Sequence, residues 1–229
     1  MLNMSNILNI VLELPLQRIV YLILFSPYPY NMNNFNKLKI YHMNKLREAK
    51  EKYLADQPIY YLLDYINSLE YFFTTSSCAG RIILLKVPES GKKFEAKFLF
   101  KSHYPVNFYY IWNKLLEVYK LYDEKIYFKQ EPFILHVSAI NLDRGYELLE
   151  LARKAGFKHS GIFLISKDRV MIEIVGNEKI ETIVSKNRKL IVNKEYFMEL
   201  VNEANKKLNI TRKRMEKFQE IIVNYYKNH

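Results

Sequence analysis

Four hydroxyl side chains, Thr74, Thr75, Ser76 and Ser77, run into Cys78, the only cysteine of the chain, and then into Gly80 and Arg81. Hydroxyls and backbone N–H groups beside a glycine offer donors to an anion or a polar ring, and the glycine lets backbone approach a ligand closely. Arg81 adds a planar fork of donors. The plainer alternative is a polar strand end and a tight turn with Arg81 in solvent, and spacing alone leaves both open. A strand, 82–85, follows.

The elements that must position these groups come from 229 residues, enough for one large domain or two small ones. Lys and Arg number 35 against 24 Asp and Glu, a net charge of +11. That surplus favours polyanions such as nucleic acid, although a solvated lysine-rich surface would also produce it. A single cysteine excludes an internal disulfide and fits a reducing compartment. No CxxC or HxxxH pair is present, so no structural zinc and no other metal is expected.

Residues 7–25 are apolar but interrupted by Glu13, Pro15, Gln17 and Arg18, with no positive n-region and no evident cleavage site. Residues 1–36 therefore read as an appendage: a start assigned too far upstream, with Met32 or Met43 nearer the true one, or a peripheral membrane contact. Residues 37–229 read as one domain.

A helical pattern begins at Asn44. Asp56 can cap the next helix, whose stripe is Ile59, Leu62, Leu63, Ile66 and Leu69. Alternating Phe94, Ala96, Phe98 and Phe100 give a half-buried strand. Asn107 caps a helix carrying Trp112, 131–138 reads as a buried strand, and a helix over 142–155 ends at Gly156. A hairpin turns at Lys167–Asp168, and 180–184 adds a short strand. The closing segment, 194–226, carries Lys206, Lys207, Arg212, Lys213, Arg214 and Lys217 opposite its apolar stripe, with Asn209 and Thr211 expected to divide it. The Ser/Gly turns at 77–80 and 159–161 each precede two extended segments and then helix, which suggests two similar βββα-like halves.

Five blocks, TTSSCAGR at 74–81, KFLFKSHYPV at 97–106, EPFILHV at 131–137, ELARKAGFKHSGI at 150–162 and RVMIEIVGNEKIE at 169–181, together resemble the wybutosine-synthesising protein 3 family. The resemblance covers about residues 44–220. Phe98 stands where that family commonly has tryptophan, Ile140 and Val175 where it often has arginine, and Ile183 where proline is frequent.

The resemblance implies an S-adenosylmethionine-dependent methyltransferase. It would act on N-4 of the tricyclic wyosine-type base beside the anticodon of phenylalanine tRNA, in the cytoplasm. It also implies an α+β fold, a mixed-sheet pseudo-barrel of two β-rich halves with flanking helices, and not a doubly wound sheet; no GxGxxG follows a strand. The catalytic candidates are His103 and His136 as proton acceptors and Arg81 as an anion ligand. Ser76, Ser77, Cys78, Gly80, His159, Ser160, Gly161 and Glu173 are expected at the cofactor, with Cys78 a packed pocket residue and not a nucleophile. Glu173 is expected to pair with a cofactor hydroxyl or with Arg169. Lys97, Arg169, Lys206, Lys207 and Arg212 are expected at the RNA. This reading requires Ser77, Arg81, His103 and His136 to share one pocket. A non-catalytic RNA-binding module, which the charge and aromatics alone would support, and a membrane-associated protein are the competing classes; saturable binding of S-adenosylmethionine and deletion of residues 1–36 separate them.

Overall fold

The computed structural model describes residues 31–89 and 95–228. The apolar run 7–25, with its membrane reading, lies outside them; so do Phe94 of the expected strand and Ser90 and Gly91, which with Pro88 read in the sequence as a turn before that strand. Among the described residues no helix is long and apolar enough to cross a membrane.

In chain order the elements are α1 (Met32–Glu51), α2 (Tyr60–Ser68), β1 (Phe72–Cys78), β2 (Arg81–Val87), β3 (Lys97–Ser102), α3 (Phe108–Val118), β4 (Lys125–Glu131), β5 (Ile134–Ala139), α4 (Leu142–Ala155), β6 (Gly161–Ile165), β7 (Val170–Val175), β8 (Ile180–Lys186), β9 (Lys189–Leu190) and α5 (Lys194–Lys227). They form an α+β fold of two sheets, β1-β5-β7-β6 and β3-β2-β4-β8-β9. Every described pairing is antiparallel, so neither sheet is mixed, and the two do not join into a closed barrel.

The chain passes between the sheets at residues 79–80, 132–133 and 176–179. These crossings pack against one another. A Cβ on Gly80, whose φ is +82°, would stand 3.1 Å from the Glu131 carbonyl and 3.3 Å from the Phe133 amide. A Cβ on Gly176 would stand 3.6 Å from the Phe133 amide and from Pro132, in ordinary contact. The close approach that Gly80 permits in this structure is to the neighbouring crossing.

Each sheet has its own core. Phe72, Leu135, Val137, Ile172 and Ile174 pack against α2 and α4, while Ile82, Leu84, Ile126 and Phe128 pack against α3. Helix α5 serves both: Phe197, Val201, Ala204 and Leu208 enter the second core, Met215, Phe218 and Ile222 the first. With Thr211, these residues recur at alternating steps of three and four, so one stripe runs through the whole helix. The expected break at Asn209 or Thr211 is absent because Thr211 is itself fully buried on that stripe; packing outweighs its modest helix propensity.

Three further expectations are corrected. The first described helix starts at Met32, not Asn44, so residue 36 lies inside α1, where Phe35 is buried against Phe73. Strand β4, not anticipated, has alternate residues Ile126, Phe128 and Gln130 buried. Phe98 is 48% exposed, its ring beneath the Arg81 guanidinium. Asn107 caps α3, and Gly156 ends α4 at φ +108°, as expected.

Candidate active site

Antiparallel register places four of the expected residues in one transverse row across the first sheet. Ser76 on β1 is opposite His136 on β5, His136 opposite Glu173 on β7, and Glu173 opposite Gly161 on β6. Residues directly opposite share a face, and two side-chain contacts follow. Ser76 Oγ lies 2.9 Å from His136 Nδ1, and His136 Nε2 lies 2.9 Å from Glu173 Oε2. Glu173 thus pairs with His136, not with Arg169. A carboxylate only accepts, so His136 donates Nε2–H to Glu173 and its Nδ1 lone pair accepts from the Ser76 hydroxyl. The Phe163 ring, 55% exposed, stands 5.1 Å from the imidazole.

Two bulges create this row. On β1, Thr74 pairs with Val137 and Ser76 with His136, so Thr75 is the inserted residue; on β6 the register shifts between Ile162 and Leu164. A bulge turns the following side chain to the other face of a sheet. Thr74 consequently points inward, where its hydroxyl and amide are both bonded to Asn67, while Ser76 points outward and is exposed. Strict alternation would have sent Ser76 inward with Thr74.

A second group gathers around the crossing at 79–80. Arg81 Nε donates to Glu131 Oε2 at 2.5 Å. His103 has Nδ1 at 3.1 Å from the Gly80 carbonyl and Nε2 at 3.1 Å from Asp56 Oδ1. Asp56 makes no helix cap; its Oδ2 accepts from the Ala79 amide at 2.8 Å. Burial pulls His103 below the ordinary imidazole value, against the opposing pull of Asp56. Cys78 is half-buried, and desolvation pushes its thiol up to about 11. Such a thiol is a poor nucleophile at neutral pH, consistent with a packed role.

Arg212 is the other cation here. Expected at the RNA, it turns inward instead, donating to the carbonyls of Ala79, Gly80 and His103, the last at 2.6 Å. Cys78 follows Ser76 by two residues, about 7 Å along the strand, so the two groups are neighbours. Among the described residues no hydrogen bond or ion pair joins His136 to His103 or Arg81. Ser77 is opposite the buried Leu135 and so faces the other side of the sheet from Ser76 and His136; among the described residues no such contact gathers Ser77, Arg81, His103 and His136 into the one pocket expected of them.

Other candidates stand apart. Lys97 pairs with Lys86, five residues along β2 from Arg81 and so about 17 Å away. Arg169 lies in the β6–β7 turn, at the far end of the first sheet, close enough to His42 to act on its charge. Ser160 is buried, accepting from the Val175 amide, and His159 is exposed. Lys206 and Lys207 lie near Glu203 on α5. A cleft of about 450 Å³ between α1 and α2, lined by Met43, Lys50, Asp64 and Asn67, includes none of these groups. Asp56, Glu131 and Phe163 were not anticipated. Asp56 looks like any helix-capping residue in sequence, and no local pattern links it to His103, 47 positions later.

Comparison with known proteins identifies the family. The family model for methyltransferase TYW3 matches residues 35–224. A tRNA(Phe) 7-((3-amino-3-carboxypropyl)-4-demethylwyosine(37)-N(4))-methyltransferase from Thermococcus sibiricus is 36% identical, covering 82% of this chain and 94% of that protein. The human tRNA wybutosine-synthesizing protein 3 homolog is 31% identical, over 82% of this chain and 72% of its own. Among solved structures, the PH1069 protein from Pyrococcus horikoshii superposes with a TM-score of 0.77 at 32% identity, covering 82% of this chain and 96% of that one. The chain belongs to the TYW3 methyltransferase family.

Proposed function

We propose that the chain methylates N-4 of the 7-aminocarboxypropyl-demethylwyosine base beside the anticodon of phenylalanine tRNA, using S-adenosylmethionine, as a cytoplasmic enzyme of wyosine-derivative synthesis. Two β-rich halves arranged as a pseudo-barrel would hold the site, in place of a doubly wound sheet. The names of the relatives at 36% and 31% identity support the reaction class. The observation that carries the site is the Ser76–His136–Glu173 chain, bulged at both edges of its sheet and open to solvent.

The residues present fit the cofactor. Gly161 has open space where a Cβ would stand, Glu173 and Ser76 offer acceptors to hydroxyls or an ammonium, and Phe163 presents an exposed ring. An exposed ring attracts a cation such as a sulfonium. Arg81, with Nε committed to Glu131, offers its remaining donors to a carboxylate or phosphate. When bound, S-adenosylmethionine supplies an electrophilic methyl group on a sulfonium.

The chain's own contribution is positioning and proton removal. Orientation of this kind is worth up to about 7–11 kcal/mol in the best cases. As the base nitrogen becomes bonded to the methyl carbon, it must lose a proton. The Ser76 oxygen accepts it while passing its own hydroxyl proton to His136 Nδ1, and Glu173 stabilises the resulting imidazolium through Nε2–H. His103 is less suited to this task, since both its nitrogens already face protein acceptors. Lys206, Lys207 and the +11 charge favour the RNA backbone.

The test is mass-spectrometric detection of methyl gain on tRNA isolated from cells blocked before this step. Methyl gain in the wild type and a turnover loss of at least 100-fold in Arg81→Ala, with S-adenosylmethionine binding measured by calorimetry, support the reading. RNA binding without saturable cofactor binding would leave the non-catalytic module in its place.

A further inference from the structure

Asp56, Cys78 and His103 come from three separate segments, the α1–α2 connection, the end of β1 and the loop after β3, yet their ligand atoms lie within 4.8 Å of one another. His103 is held with Nδ1 against the Gly80 carbonyl, so a neutral ring bonded there presents an unprotonated Nε2. That lone pair faces Asp56 Oδ1, another acceptor, at 3.1 Å. Two acceptors at that distance repel unless something positive lies between them. Asp56 is held in its turn, because Oδ2 is fixed by the Ala79 amide, which directs Oδ1 toward His103 and the Cys78 thiol. One turn of backbone, Ala79–Gly80, therefore orients both groups toward a common point beside the Cys78 sulfur. Such outer contacts are those that fix the tautomer and direction of metal ligands.

We propose that Asp56, Cys78 and His103 form a binding site for a thiophilic divalent cation, Zn²⁺ being the natural choice for one sulfur, one imidazole and one carboxylate. Nitrogen and oxygen ligands each about 2.0 Å from a tetrahedral ion stand about 3.3 Å apart, so the 3.1 Å separation already matches. Binding displaces the thiol proton and forms a Zn–S bond without any redox change. The neighbouring cations are accounted for, Arg81 by Glu131 and Arg212 by three carbonyls. Asp56 and His103 each keep 15% of their side-chain surface exposed, which leaves a route to a fourth, solvent-supplied position. The bound ion ties α2, β1 and β3 together at the sheet crossing beside the Ser76 row. Spacing rules for zinc ligands miss the site because no two of its ligands are near in sequence.

The experiment uses the full chain after dialysis against a chelator, titrated with Co²⁺ and then Zn²⁺. One equivalent of Co²⁺ is expected to develop the visible bands of a four-coordinate site and a sulfur-to-cobalt charge-transfer band, both erased by Zn²⁺. Cys78→Ser should abolish the charge-transfer band. Asp56→Asn, close to isosteric and able to keep the Ala79 contact, and His103→Gln should each weaken binding at least 10-fold by calorimetry. No saturable cobalt spectrum in the wild type would overturn the proposal and leave a proton shared between Asp56 and His103. So would a charge-transfer band unaffected by Asp56→Asn and His103→Gln, since that is a thiol binding metal alone. The readout is metal occupancy, so failure here is separate from failure of the methyltransferase reading.

Discussion

If Ser76 and His136 act as one proton relay, removing either should cost as much as removing both. Loss of a positioned acid–base group costs about 100-fold or more in turnover, or about 2.7 kcal/mol for 100-fold at 1.36 kcal/mol per tenfold. Ser76→Ala and His136→Gln are each expected to lower kcat about 100-fold. The double variant should also fall about 100-fold, whereas independent groups would give about 10,000-fold. The contact between them is 2.9 Å and Ser76 is exposed, so stability should change by only about 0.5–1.5 kcal/mol. The assay is single-turnover methyl transfer at saturating tRNA and cofactor, with calorimetric binding of both ligands as a control. Multiplicative losses, or either single variant retaining more than half of wild-type kcat, would refute the relay. A rise in KM with kcat unchanged would move Ser76 from proton transfer to binding.

Two further expectations concern the scaffold. Gly80→Ala puts a Cβ 3.1 Å from a backbone carbonyl at φ +82°; the left-handed conformation costs about 1–2 kcal/mol, and the clash should bring the total to about 2–4 kcal/mol. At about 2–4 °C per kcal/mol for a chain of this size, calorimetry should record a Tm about 4–16 °C lower, and an unchanged Tm would mean the crossing is not packed as described. His42, stacked on Phe73, is held below the ordinary imidazole value by burial first and then by Arg169 and Lys45. The unfolded chain therefore binds this proton at higher pH than the folded one, so stability is lost as pH falls through about 6.5. His42→Gln should flatten the Tm profile between pH 7.5 and 5.5, and a profile parallel to the wild type would remove His42 from the pH response.

What could be read from the sequence, and what could not, follows from the range over which each signal acts. Gly156 and Asn107 act on their own helix ends, and both did as expected. Family resemblance points to every residue of the Ser76–His136–Glu173–Gly161 row, but not to their alignment. It depends on an inserted Thr75 that no hydrophobic period reveals, because hydroxyl residues suit either face of a strand. Asp56 shows the converse failure. A local rule assigned it to a helix cap, and a partner at the end of β3 took it instead.

Helix α5 explains why the second group depends on distant chain. Its stripe alternates in steps of three and four from Phe197 to Ile222, and it changes core between Leu208 and Met215. At that change the adjoining surface is no longer a sheet face but the crossing at 79–80, whose carbonyls lack ladder partners. Buried carbonyls must be satisfied. Arg212, one residue beyond the buried Thr211, supplies donors to Ala79 and Gly80 and also to His103. A guanidinium is the side chain able to serve several acceptors at once, so lysine would be a poor substitute. The helix that joins the two cores therefore also fixes the turn that aims Asp56 and His103. The polar side of an amphipathic pattern records only that Arg212 lies off the apolar stripe, and cannot reveal that the facing surface is a bare turn of backbone.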